Sequence, residues 1–446
     1  MRFPRAILSV WLVLVLMVLA VRLGGSETLP RLSVADTSWL DDLQRRTVRY
    51  FVEQADPVTG LVRDRAPVGG GESAAPSSVA ATGFGLSAWC VAESRGWMSR
   101  DELLQRTRRT LRFVLAEHAQ ERGWYYHFVD AGTGRRAWSS EASTIDTSLL
   151  LQGALLAREH LRDPEVTRLV NAIYARLDWR WALNGGATLT HGWRPEAGFI
   201  PHRWDNYAEL LGLYLLGLGA PVGPLPESTW TAWRREPWVT QGGRTFIQCG
   251  PLFTHQYAHA WFDFRGRRDG AIDYWQNSVD ATLAQREWSA AQHHRFPSWS
   301  RDRWGLTASD SARGYMAWGT PLPGQAADDL SDGTLVPSAP GGSLPFAPME
   351  CLTSLRSMQA AGGARVWGRY GFVDAFNPET QWASPDVIGI SVGITMLMAE
   401  NLRSGFVWRT FMRASEVQRG MKRAGFNESE TRARAPVMAT VRSGAL

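Results

Sequence analysis

Four carboxylates stand out by type, spacing and company. Glu141 and Asp146 lie in Trp138–Thr147, which reads W-S-S-E-A-S-T-I-D-T, just ahead of an apolar run through Leu149, Leu150, Leu151 and Leu155. Asp205 and Glu209 lie in R-W-D-N-Y-A-E-L, bracketed by Trp204 and Tyr207. A hydroxyl at Ser143 or Thr144 can cap the helix that follows, by accepting an otherwise unpaired backbone N–H. Acids framed by aromatic rings at helix mouths suit cleavage of a sugar bond. That chemistry uses one protonated carboxyl to release the leaving oxygen and one ionised carboxylate. The competing reading is helix-cap acids beside core aromatics. Desolvation by Trp204 and Tyr207 would raise the pKa of Glu209, which suits an acid. Arg135, Arg136 and the helix mouth would keep Glu141 ionised, which suits a base, and Asp146 is either a third catalytic group or a structural partner.

Elements must hold these groups in place, and the pattern is helical throughout. Trp39, Leu43, Thr47 and Phe51 recur every four residues. Further helices are predicted at 79–93, from Ser99 through Leu115, at 144–161, from Pro164 to Trp179, and from Asp205 to Gly219. Others follow at 227–235, 255–264, 272–292, 347–361, 390–402 and 405–412. Hairpins are expected at 124–138 and 184–202. No strand–helix alternation appears, which excludes a parallel α/β sheet. Consecutive antiparallel helix pairs closing into a ring predict an all-α, (α/α)6 toroid. Its inner-helix ends and long loops would form one concave cleft. The Gly- and Pro-rich stretch Arg295–Pro348 lacks helical periodicity yet carries tryptophans, and is expected to wall the cleft.

Composition narrows the partners. The 446 residues hold 22 tryptophans, whose flat faces stack on sugars as well as on one another. The net charge of +5 rests on scattered arginines, with Lys422 the single lysine, so no basic stripe points to nucleic acid. Cys90, Cys249 and Cys351 show no CxxC spacing and are expected as free thiols. His255 and His259 stand four apart, but position 256 is Gln rather than the glutamate of a zinc motif. No metal, no cofactor and a monomeric chain are expected. Arg2 and Arg5 precede an apolar run from Ala6 to Val21. Residues 1–30 therefore read as a cleaved export signal or an uncleaved membrane anchor. Either delivers residues 31–426, a single catalytic domain, outside the cytoplasm, which in a bacterium is the periplasm. Residues 427–446 read as a polar, disordered tail.

Five motifs are specific together: W-S-S-E-x-S-T-I-D-T, W-G-L-T-A-S-D at 304–310, G-G-S-L-P-F-A-P at 341–348, W-G-R-Y-G-F-V-D-A-F-N at 367–377 and E-N-L-R-S-G at 400–405. From about Thr37 to Phe426 the chain resembles the bacterial glucoamylase-like domain of endo-β-1,2-glucanases and cyclic β-1,2-glucan synthases. The resemblance implies an (α/α)6 barrel acting on β-1,2-linked glucose polymers. It implies Glu209 as proton donor and Glu141 as base or nucleophile. The sequence D-N-Y-A-E before Glu209 departs from the expected glycine-tyrosine-asparagine. Substrate contacts are expected from Arg136, Trp138, Trp204, Asp205, Tyr207, His255, Gln256, Trp304, Asp310, Arg369, Tyr370 and Asp374. Endo cleavage is the first expectation. Exo release of disaccharides, transglycosylation and non-catalytic glucan binding are the alternatives.

Overall fold

The computed structural model describes residues 31–322, 325 and 330–428. Ten helices of eight or more residues carry it. They are α1 (Val34–Glu53), α2 (Val79–Ser94), α3 (Arg100–Ala116), α4 (Thr144–Leu161), α5 (Pro164–Arg176), α6 (Leu211–Gly219), α7 (Tyr274–Ala291), α8 (Pro348–Gly362), α9 (Gly389–Arg403) and α10 (Ser415–Arg423). Short helical turns at Leu252–His255, Tyr257–Trp261 and Ser338–Gly342 complete the path.

The ring follows from the sequence of faces. Helices α2 and α6 are apolar on every side, and all of α6 is buried, so each must be surrounded. Helices α1, α3 and α5 are two-faced and lie outside. The inner path runs α2, α4, α6, then residues 252–261 and 338–342, then α9, which packs back onto both α1 and α2. This is an (α/α)6 toroid with only two- and three-stranded sheets among the described residues.

Inner helices α2 and α4 make the closest crossing. A Cβ on Gly153 would lie 2.0 Å from the Gly83 carbonyl oxygen, and one on Gly83 would lie 2.3 Å from that of Leu149. Only glycine permits that approach. The seam between the ring's two ends is polar. Glu400, 1% exposed, accepts from Arg95 through both oxygens, from Gln44 Nε2 and from Ser404.

Caps set several boundaries. Ser33, Ser99, Ser143 and Asp163 each accept a backbone N–H at the start of α1, α3, α4 and α5. Three expectations change. Residues 205–210 form bends rather than the first turns of a helix, and α6 begins at Leu211 without a side-chain cap. Helix α10, which periodicity did not place, packs against α6 and is tied by the Arg158–Glu416 pair at 2.7 Å. Asn427 and Glu428, expected in the tail, pair in a strand with Arg267 and Arg268. Residues 1–30, expected as a signal or anchor, and those beyond 428, expected as a tail, lie outside the described residues. Among those described, no helix is long and apolar enough to cross a membrane.

Candidate active site

The mouth of α4 gathers the chemistry. Strand Ala142–Ser143 pairs with Gly192–Arg194, which pairs in turn with Gly198–Phe199. A Cβ at Gly192 would stand 2.5 Å from the Ala142 carbonyl oxygen and 3.0 Å from Glu141 Cγ. Glycine there lets the Glu141 strand lie flat. Ser143 caps α4, and its hydroxyl donates to Asp146 Oδ2 at 2.5 Å. Thr144 Oγ1 accepts from Trp204 Nε1 at 2.9 Å, so the second aromatic segment is stapled to the first.

A cavity of about 250 Å³ opens there. It is lined by His127, Glu141, Asp146, His191, Trp204, Glu209, Phe253, Tyr257, Tyr315 and Ile390, among others. Glu209 enters from the turn before α6. Desolvation, with the nearby Asp146 charge adding and His127 opposing, raises its pKa to about 8. It is therefore a carboxylic acid at neutral pH. Glu141 takes the opposite state. A hydrogen bond from His127 outweighs burial and, with the His127 charge and Arg194, lowers its pKa to about 2. Arg194 NH2 lies 3.4 Å from Glu141 Oε2.

His127 is the hinge of this arrangement, and sequence reasoning passed over it. Its Nδ1 lies 3.3 Å from Glu141 Oε1 and 3.5 Å from Asp146 Oδ2. Burial disfavours its charge, but Asp146, Glu141 and Asp64 together raise its pKa to about 9. The ring stacks on Phe128 at 3.8 Å and 16°, and Phe128 packs on Trp138. The histidine sits inside the predicted 124–138 hairpin, between aromatic neighbours, and its pairing to Glu141 depends on a backbone bond from His127 N to the Glu141 carbonyl. His127, Glu141 and Asp146 offer ligand atoms within 4.8 Å of one another, the one such group among the described residues. The His127 imidazolium supplies one positive charge beside Glu141 within that group.

Of the expected substrate contacts, Trp204 lines the cavity, and Trp138, 63% exposed, stands in the aromatic row leading from it. The rest are placed otherwise. Arg136 is bound to Glu196 and to the Ser139 and Ser140 carbonyls, locking two loops together. Asp205 is exposed and outside the cavity lining. Tyr207 is buried, its hydroxyl 3.0 Å from His255 Nδ1. His255, with burial lowering its pKa to about 3, is a neutral core residue. Gln256 is buried and donates to the Ala339 carbonyl and Ser343. Trp304 is fully buried in a second apolar cluster. Arg369 and Tyr370 both bind Glu53 on α1. Asp310 pairs with Arg65 at 3.1 Å, and its backbone N–H donates to Asp374 Oδ2 at 2.7 Å. Asp374 is 2% exposed, and burial with the Asp310 charge raises its pKa to about 7. Apart from exposed Asp205, these groups pack against or bind other protein groups, a role that a linear motif does not distinguish from contact with a ligand.

The chain is similar to several known proteins. Residues 201–415 match the family model described as Putative glucoamylase. The chain is 28% identical over 430 residues to an exo β-1,2-glucooligosaccharide sophorohydrolase (non-reducing end) of Parabacteroides distasonis, covering 87% of this chain. It spans 58% of that relative's length. The structure superposes with a TM-score of 0.80 on an endo-β-1,2-glucanase from Chitinophaga pinensis in complex with sophorotriose and glucose. Identity there is 26%, covering 89% of this chain and 99% of that one. A β-1,2-glucanase from P. distasonis gives 0.80 at 25% identity, over 89% and 60%. The resemblance to the glucoamylase-like family, read first from five motifs, extends through the fold.

Proposed function

We propose that this chain is a glycoside hydrolase that cleaves β-1,2-glucan internally, with Glu209 as the acid and Glu141 as the ionised partner. One observation carries the reading. A single aromatic-lined cavity holds a carboxyl protonated up to a pH of about 8 and another ionised down to about 2. Opposed environments of this kind define acid and base assignments. In the reaction Glu209 delivers its proton to the glycosidic oxygen as the bond to the anomeric carbon breaks. Glu141 either takes a proton from the water that attacks that carbon, or attacks the carbon itself to form a glycosyl ester that water then hydrolyses. The hydrogen bond and charge of His127 keep Glu141 ionised while Glu209 stays neutral. No cofactor is required for these steps.

The β-1,2 linkage rests on the relatives, which act on such glucans by their descriptions. The endo mode rests on the likeness to the endo-acting enzyme from C. pinensis, with a TM-score of 0.80 at 26% identity. The charged and apolar leader of residues 2–21 supports periplasmic placement, with membrane anchoring if it is uncleaved.

Product analysis tests the reading. Linear β-1,2-glucan, soluble starch and β-1,3-glucan are incubated with the protein and with Glu209→Gln. Oligosaccharides of mixed length from the β-1,2 polymer alone, absent with the variant, are expected. Disaccharide as sole product would replace endo with exo action. No product from any glucan would overturn the hydrolase.

A further inference from the structure

Two tyrosines share the cavity with the acids, and neither belongs to the carboxylate machinery. Tyr257 opens the inner helix Tyr257–Trp261, its ring against Phe84 at 5.9 Å and Phe253 at 5.1 Å, so its direction is fixed by packing. Tyr315 stands on the second strand of the hairpin Ala308–Ser311/Gly314–Ala317, in register with Asp310. That hairpin is anchored where it leaves the wall, by Asp310 N–H to Asp374, by Arg65 to Asp310, and by Ser384 Oγ to Asp310 at 3.1 Å. Tyr315 is 54% exposed, although the base of its hairpin is held from three sides. An exposed aromatic on an anchored support is a platform without a protein partner.

The chemistry of the lining says what it takes. Ionised Glu141 only accepts hydrogen bonds, and the Trp204 N–H is already spent on Thr144. A polyhydroxylated ligand also needs donors for its ring and hydroxyl oxygens. Neither tyrosine hydroxyl has a hydrogen-bond partner among the described residues. Loss of water around the two hydroxyls, with neighbouring carboxylates including Glu209 and Asp374, holds both phenols above their usual pKa, so both keep their protons.

We propose that Tyr257 and Tyr315 clamp the glucosyl unit whose bond Glu209 protonates, both donating to its oxygens and Tyr315 adding its ring as a stacking face. This assignment rests on the glucan-cleaving reading above and names the residues that hold its substrate. The Chemistry is sequence-local for neither residue: Tyr257 is a helix start and Tyr315 a hairpin position 58 residues later in the chain by their numbers.

Calorimetric titration of a β-1,2-linked glucose trisaccharide into the Glu209→Gln protein separates binding from turnover. Added Tyr257→Phe or Tyr315→Phe should each raise Kd about fivefold, the loss of one hydrogen bond. Tyr315→Ala should raise it about twentyfold by removing ring and hydroxyl together. Unfolding temperatures of the Tyr315 variants should match the parent, because that side chain is exposed. Unchanged Kd in all three variants overturns the clamp. Weakened binding in the variants, with no hydrolysis by the unsubstituted protein, supports the clamp and overturns the hydrolase. No binding by the parent overturns the clamp, and the hydrolase stands or falls separately on product release by the unsubstituted protein.

Discussion

Glu209 and His127 make the sharpest demands at the scale of single residues. Glu209 holds its proton to about pH 8, against 4.5 for an ordinary glutamate, so kcat/KM should fall as pH rises through about 8. Glu209→Gln should lower kcat by about 10³-fold, within the range for a lost general acid. Stability follows the same proton. A raised folded-state pKa contributes stability that is full below 4.5 and lost as pH rises through 8. Glu209→Gln, neutral at every pH, should therefore unfold at a higher temperature than the unsubstituted protein at pH 9, as scanning calorimetry would show. His127 has the same sign, its contribution full below 6.5 and lost as pH rises through about 9. Glu141 has the opposite sign, its contribution present above 4.5 and lost as pH falls through about 2. His127→Gln removes the charge that keeps Glu141 ionised. The acid limb of the kcat/KM profile should move to higher pH in that variant, while an unmoved limb would show that Arg194 alone holds Glu141.

Among elements, the α2–α4 crossing controls where the acids stand, because α4 carries Asp146 in its first turn and Glu141 just before it. Gly153→Ala would place a methyl group 2.0 Å from the Gly83 oxygen and force the helices apart. Overpacking of that kind costs about 1–3 kcal/mol. Denaturant unfolding should show the loss, and activity should fall with it because the cavity mouth widens. The α4 start was legible from the sequence, since Ser143 and the following apolar run announce it. The α6 start was not. Trp204–Leu210 looks like helix by composition, yet the Trp204 indole is drawn to Thr144 and the Arg234 N–H is bonded to the Asp205 carbonyl. Those distant bonds hold the segment in bends, and so aim Glu209 at the cavity from a turn.

The whole molecule depends on closing its ring, and the closure is made by α9 against α1 and α2. Glu400 sits at that seam with Arg95 and Gln44 from the first two helices. Glu400→Ala would leave the partly exposed Arg95 without its partner, at a cost of about 1.5–3 kcal/mol for the lost charge-assisted hydrogen bonds. Chemical denaturation should register the loss as a lower midpoint. A midpoint equal to that of the unsubstituted protein would mean that apolar packing alone closes the ring.

The sequence alone determined the class of fold and most of its helices, α10 and the start of α6 excepted, because helix periodicity, caps and glycine stops act within a few residues. It also marked Glu141, Asp146, Trp204 and Glu209, whose neighbours in the chain already differ in charge and ring content. The tertiary structure decided which marked residues meet. Tyr207, His255, Gln256 and Trp304 carry polar or aromatic groups suited to a ligand, but the ring buries them among protein partners. His127, Tyr257 and Tyr315 come from a loop, an inner helix and a hairpin, and share one cavity only after the toroid closes. The protonation states were settled there too. Desolvation and charge fall off over a few ångströms of space, and positions 127, 141 and 209 are neighbours in space rather than in the chain.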